Sequence, residues 1–134
     1  MEGIEMPENV RQVLTAKCAD CHSMDTHYPA YSRLAPASWL IERDVLEGRQ
    51  HLDMSQWRHY SLESQIDLLA KIGSEARSGE MPKRQYLILH PQARLSPIEQ
   101  QLLYDWAKGA RKRIKSQVAD QPDPRSANKG TRRQ

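Results

Sequence analysis

Two thiols and an imidazole stand within five residues at Cys18-Ala19-Asp20-Cys21-His22. The spacing suits one chemistry. Two residues between the cysteines match the separation of the two vinyl groups of a protoporphyrin, and a histidine that follows without slack falls beneath the metal instead of beside the ring. This is the c-type haem attachment pattern, with thioethers at Cys18 and Cys21 and His22 as proximal iron ligand. Cys-x-x-Cys alone also serves zinc sites and dithiol redox pairs. A structural zinc site needs four ligands, usually with a second Cys pair, and the chain has only 2 cysteines. The histidine directly after Cys21 favours haem.

An iron held by one histidine has a sixth position to fill. The candidates are Met81, Met54, Met24 and the four other histidines, His27, His51, His59 and His90. Met81 is favoured. It lies in Gly79-Glu80-Met81-Pro82, far enough along for the chain to cross a haem face, and Pro82 biases the preceding backbone toward an extended conformation. Gly79 permits a tight approach. A methionine taken alone is more often a core filler, and Met54, in Asp53-Met54-Ser55, is the second thioether. The choice has a consequence, because Met/His ligation raises the potential relative to His alone and suits electron transfer.

The elements that must position these groups read as about four helices joined by long irregular loops. PENVRQVLTAK has Pro7 in its first turn and Val10, Val13 and Leu14 at i, i+3 and i+4, an amphipathic helix running straight into the cysteines. SMDTHYPAYSRLAP has no period and reads as a loop. Pro36 opens a second helix with Trp39 near its start and Ile41 and Val45 on one face, weakened at Gly48. After the irregular HLDMSQWRHYS, Ser61 is a good N-cap for a helix carrying Leu62, Ile66, Leu69 and Ile72, which ends near Gly79. QYLILHP alternates like a strand but has no partner strand, so extended chain is expected. Ser96-Pro97-Ile98-Glu99 is a capping box for a last helix with Ile98, Leu102, Trp106 and Ala110 as its stripe, facing the N-terminal helix. Residues 1–115 thus form one domain and residues 116–134 a basic tail without periodicity, expected to be disordered.

Composition fits a chain that borrows an apolar body. Apolar residues are 38%, Phe is absent, and adding the 6 glycines still leaves the total below the usual roughly 45–50%. The net charge of +3 is split: residues 1–110 carry 12 Lys+Arg against 15 Asp+Glu, and residues 111–134 carry 8 against 2. The basic balance belongs to the tail. No basic face with stacking aromatics accompanies it, so nucleic-acid binding is not expected. Met1-Glu2-Gly3-Ile4-Glu5 lacks the regions of a signal peptide, and no apolar run approaches the roughly 20 residues of a membrane span. Since bacterial c-type attachment takes place outside the cytoplasmic membrane, a mature form or excised domain in the periplasm, or otherwise extracytoplasmic, is expected.

The chain resembles the haem-binding domain family of small c-type cytochromes. The resemblance is carried by CADCH, HYPAYSRLAPASWL, DVLEGRQHLDMSQW and GEMPKRQYLILHPQARLSPIEQQLLYDWA, in that order, over about residues 10–107. It implies an all-helical, cytochrome-c-like fold wrapped around one haem c, covalent through Cys18 and Cys21, with His22 proximal and Met81 distal. One departure is DMSQW, where the family reads closer to Asn-Phe-Ser-Glu-Trp. Loss of that Phe either loosens the pocket or lets Met54 take up its volume.

Around the haem, the proximal imidazole is expected to donate its free N–H to a carbonyl near Pro29 or Pro36. Tyr31, Arg33, Trp39, Arg49, Trp57 and Tyr86 are candidates to meet propionates or wall the ring. The expected function is a monomeric mono-haem electron carrier serving an unidentified redox protein, not an enzyme. The alternative is a gas or redox sensor, or a peroxidase-like site, with an open or displaceable sixth position; the sequence supplies no distal acid/base pair for it.

Overall fold

Helices that clasp one another at the carboxyl-terminal half hold a more loosely wound amino-terminal half against them. The computed structural model describes residues 1–120, among which there is no strand. Six α-helices follow in order: α1 (Glu8–Lys17), α2 (Ala19–His22), α3 (Ala37–His51), α4 (Leu62–Ser78), α5 (Arg84–Leu89) and α6 (Pro97–Ala119). Short 3₁₀ turns at Ala30–Arg33, Met54–His59 and Pro91–Ala93 punctuate the loops. The all-helical expectation holds. The two helices beyond the four read from sequence are α2, a single turn inside the cysteine motif, and α5.

Local chemistry explains the helix ends. The Ser61 side chain accepts from the Ser64 N–H at the start of α4, and Gly79 closes that helix at φ 73°, a left-handed position that favours glycine. Ser96 and Glu99 form the reciprocal capping box of α6, with Pro97 at its first position. Helix α5 corrects the extended chain expected for QYLILHP. With no strand beside it, this partly buried backbone satisfies its own hydrogen-bonding groups only by coiling.

α4 and α6 are the chief packing pair, not α1 and α6. A Cβ on Gly73 would meet Ala107 at 3.4 Å, and the Arg77 guanidinium lies 4.5 Å over the Tyr104 ring. The contacts descend α6 as they ascend α4, so the two run antiparallel. The buried face of α6 is Leu103, Trp106, Ala107, Ala110 and Ile114, while Ile98, the first residue of the expected stripe, is 82% exposed. Steps of four repeated without a three rotate off one face of a 3.6-residue helix; the spacing 103, 107, 110, 114 stays on it. α6 continues past Lys115 to Ala119, and residues 121–134 of the tail lie outside the described residues.

The core gathers Val10, Val13 and Leu14 of α1 with Leu69 and Ala76 of α4, Trp57, and the buried face of α6. Lys17 joins the end of α1 to the start of α6, its Nζ donating to the Arg94 carbonyl at 2.8 Å and to Glu99 at 3.2 Å. Leu69 is fully buried. Leu69→Ala is expected to destabilise the fold by about 2–5 kcal/mol, the usual range for a large core truncation. Urea unfolding checks this, and an unmoved midpoint would place Leu69 outside the core.

Candidate functional site

The cysteine motif sits on a break between two helices. Cys18 caps α1, its N–H donating to the Leu14 carbonyl, and then itself starts α2, where its carbonyl accepts from the N–H groups of Cys21 at 3.3 Å and His22 at 3.0 Å. Cys18, Cys21 and His22 are therefore i, i+3 and i+4 of one turn, the spacing that puts side chains on a common side. All three line a single cavity of about 350 Å³, within the range of about 300–1,000 Å³ usual for cofactor sites.

All six helices contribute to the wall of that cavity. Leu14 comes from α1, Leu68, Ile72 and Ala76 from α4, and Leu103 from α6, with Leu95 and Leu52 from the connecting segments. Met81 and Pro82 enter from the segment between α4 and α5, and Tyr86 from α5. Met54 also lines the cavity and is 7% exposed, so it fills the volume at the DMSQW departure. Gly48 of α3 lies against the motif itself: a Cβ there would be 2.6 Å from the Cys21 carbonyl oxygen. Glycine is needed for this close approach, not to weaken the helix, which runs on to His51.

His22 Nδ1 lies 3.0 Å from the Leu52 carbonyl oxygen. A carbonyl only accepts, so Nδ1 carries the proton and Nε2 keeps its lone pair for a metal. Such a bond fixes ring orientation and raises ligand basicity. This corrects the expected carbonyl near Pro29 or Pro36. α3 returns the chain to the back of the imidazole at Leu52, a tertiary consequence that the sequence neighbourhood of His22 does not contain.

Burial pushes the Cys18 thiol up to about 12 and the Cys21 thiol up to about 11, the latter also through the nearby carboxylates of Asp44 and Asp20. Redox-active and zinc-binding cysteines need the opposite, an electropositive setting that favours thiolate. Among the described residues, no group of three or more His, Cys, Asp or Glu side chains converges as a metal site. Two neutral thiols in an apolar-walled cavity beside an oriented imidazole fit a porphyrin.

The other candidates disperse. Tyr86 lines the cavity; its hydroxyl donates to Asp20 at 3.3 Å, and burial raises its pKa. Tyr31 lines a smaller adjoining cavity of about 80 Å³ and is hydrogen-bonded to His90, on which Tyr86 stacks at 4.3 Å. Arg49 donates to the Ser23 carbonyl and the Thr26 hydroxyl, holding the loop after His22. Trp57 is in the core, 2% exposed. Trp39, 68% exposed, points off the buried face of α3, and Arg33 is exposed at the end of its 3₁₀ turn. Neither lines the cavity. Met24 is also exposed, whereas His51 lines the cavity and His27 and His90 the smaller one. Asp44, Lys71 and Lys83, which stand outside the cysteine motif and the candidate axial ligands, also line the main cavity.

An all-helical fold in which an apolar-walled cavity of about 350 Å³ receives two thiols and an imidazole with its lone pair free defines a haem protein. The chain belongs to the haem-binding domain family, whose model matches residues 1–109. No curated protein and no solved structure matches the chain.

Proposed function

We infer that the protein is a mono-haem c-type cytochrome that carries electrons, with haem joined to Cys18 and Cys21 and the iron held between His22 and Met81. The observation that carries this reading is that Cys18, Cys21, His22 and Met81 line one cavity. When bound, haem supplies one-electron chemistry, and a His/Met pair favours the higher potentials of electron carriers. The chain supplies the rest. The Leu52 carbonyl holds the imidazole in the ligating tautomer, and the leucine walls exclude water from the ring. Lys71 and His51 line the cavity and make no ion pair among the described residues, which suits them to the porphyrin carboxylates in place of Arg33 or Arg49.

Met81 is preferred to Met54 on a topological ground. Met54 follows closely on Leu52, whose carbonyl grips the back of His22, so its segment is committed to the proximal side. Met81 arrives on an independent segment, tied to α4 by its N–H to the Glu75 carbonyl at 3.4 Å. The reading extends to an extracytoplasmic location and a redox-protein partner; no helix among the described residues is long and apolar enough to cross a membrane.

Denaturation followed by acidified-acetone extraction tests the attachment. The colour is expected to stay with the polypeptide, with a mass increased by one haem, and to be released when both cysteines are serine. Extraction of all colour from the unaltered protein would refute thioether attachment. Immediate carbon monoxide binding to the reduced protein, with no ligand replaced, would move the function to a sensor.

A further inference from the structure

Asp44 is a carboxylate that electron transfer does not require, yet it is 8% exposed and lines the haem cavity. Its partners come from the far side of the site. Gln85 Nε2 donates to both of its oxygens, at 3.0 and 3.2 Å, and Lys83 Nζ lies 3.5 Å from Oδ1. Lys83 also reaches Glu47, one turn further along α3, at 2.7 Å. Arg43 Nη2, at 3.9 Å, is the remaining cation near Asp44. Lys83 and Gln85 immediately follow Met81-Pro82. On the next turn of the same helix, Gly48 lies against the Cys21 carbonyl.

We propose that Asp44, with Glu47 in support, is the positioning residue for Met81: it clamps the Met81-bearing segment to α3, the helix that also braces the cysteine motif. The proposal rests on Met81 as the axial ligand. α3 thereby fixes the distance between the two ligand-bearing segments. A buried carboxylate that accepts from one side-chain amide at both oxygens and also faces a cation is a stronger tether than an ion pair exposed on both sides. Without the clamp the segment carrying Met81 can leave the iron more often, and an incoming ligand no longer competes against a held thioether.

Imidazole titration of the ferric holoprotein reads this directly, because its apparent affinity is reduced by the fraction of molecules in which the sixth position is closed. Asp44→Ala is expected to tighten imidazole binding about tenfold, the effect of one good charged hydrogen-bonded contact, and to weaken the ferric absorption at the red edge that reports Met–iron ligation. Asp44→Asn, which keeps shape and one acceptor for Gln85 but loses the ion pair, should fall between wild type and alanine, and it guards against a misfolded alanine variant. Asp44→Glu should restore most of the wild-type affinity. Wild-type affinity in both Asp44→Ala and Asp44→Asn, when Met81→Ala does open the iron, overturns the clamp and leaves the axial reading intact. If Met81→Ala itself changes nothing, the axial reading falls and the clamp falls with it.

Discussion

Met81→Ala is expected to leave haem on the chain and to open the iron. The thioethers proposed at Cys18 and Cys21 and the Leu52-oriented imidazole of His22 involve neither Met81 nor its segment, so attachment and proximal ligation are expected to survive. The sixth position loses its soft ligand, and the low-spin spectrum gives way to a high-spin or water-ligated one. The reduction potential falls, since a thioether stabilises the reduced iron. In the unaltered protein an outside ligand must wait for a minor open state, ordinarily about 0.1–10% of molecules. With that requirement removed, carbon monoxide is expected to bind the reduced protein about tenfold to a thousandfold faster. Flash photolysis or stopped flow makes the measurement. An unchanged spectrum and rate would transfer the ligand role to Met54 or His51, the other donors lining the cavity.

Gly48→Ala should be the most disruptive of the small substitutions. Alanine is ordinarily the better helix former by about 1 kcal/mol, so propensity alone predicts stabilisation. The added carbon, however, would stand 2.6 Å from the Cys21 carbonyl oxygen and 3.1 Å from its carbon. Both are backbone atoms of the turn that carries the thiols, and neither can swing aside. Relief requires α3 to move off the motif, at an overpacking cost of about 1–3 kcal/mol or more, with loss of the shape of the turn that lines the haem cavity. A lower yield of holoprotein is expected, with a melting temperature depressed by roughly 5–10 °C. Gly109→Ala on α6 is the matched control. Its added carbon would meet only the flexible end of Arg113, at 3.5 Å, so the propensity gain should show as a neutral or raised melting temperature. If both variants behave alike, α3 does not pack on the motif as described.

Much of this architecture was legible because it rests on local chemistry. Ser61, Gly79 and the Ser96–Glu99 box announce helix ends through bonds made within one turn. The cysteine motif is legible for another reason: its spacing matches the vinyl groups of a porphyrin and so points to a cofactor without reference to the fold. What failed to read were features decided across the chain. The alternation in QYLILHP fits a strand until one knows that nothing pairs with it. The stripe from Ile98 in steps of four finds Trp106 and Ala110, but only the packing of α4 adds Leu103 and Ala107 and leaves Ile98 exposed. Leu52 holds His22 through a main-chain oxygen, which no side-chain pattern can signal. Gly48 looks like a helix weakener until its neighbour is seen. Trp39 and Arg33 have the right chemistry to meet a haem and the wrong helix face or turn to reach it.

The link from Lys17 to Arg94 and Glu99 ties the residue before the first thiol to the chain on the far side of the domain, 77 and 82 positions later. In topological terms the polypeptide is a ring fastened beside the cysteine motif. The entropy needed to fasten such a ring grows only logarithmically with its circumference, by about 0.6 kcal/mol for each doubling. Extra residues spliced into the exposed turns on its rim would therefore lengthen the ring without unfastening it. This fold has room to vary at its periphery while the clasp beside the first thiol stays shut.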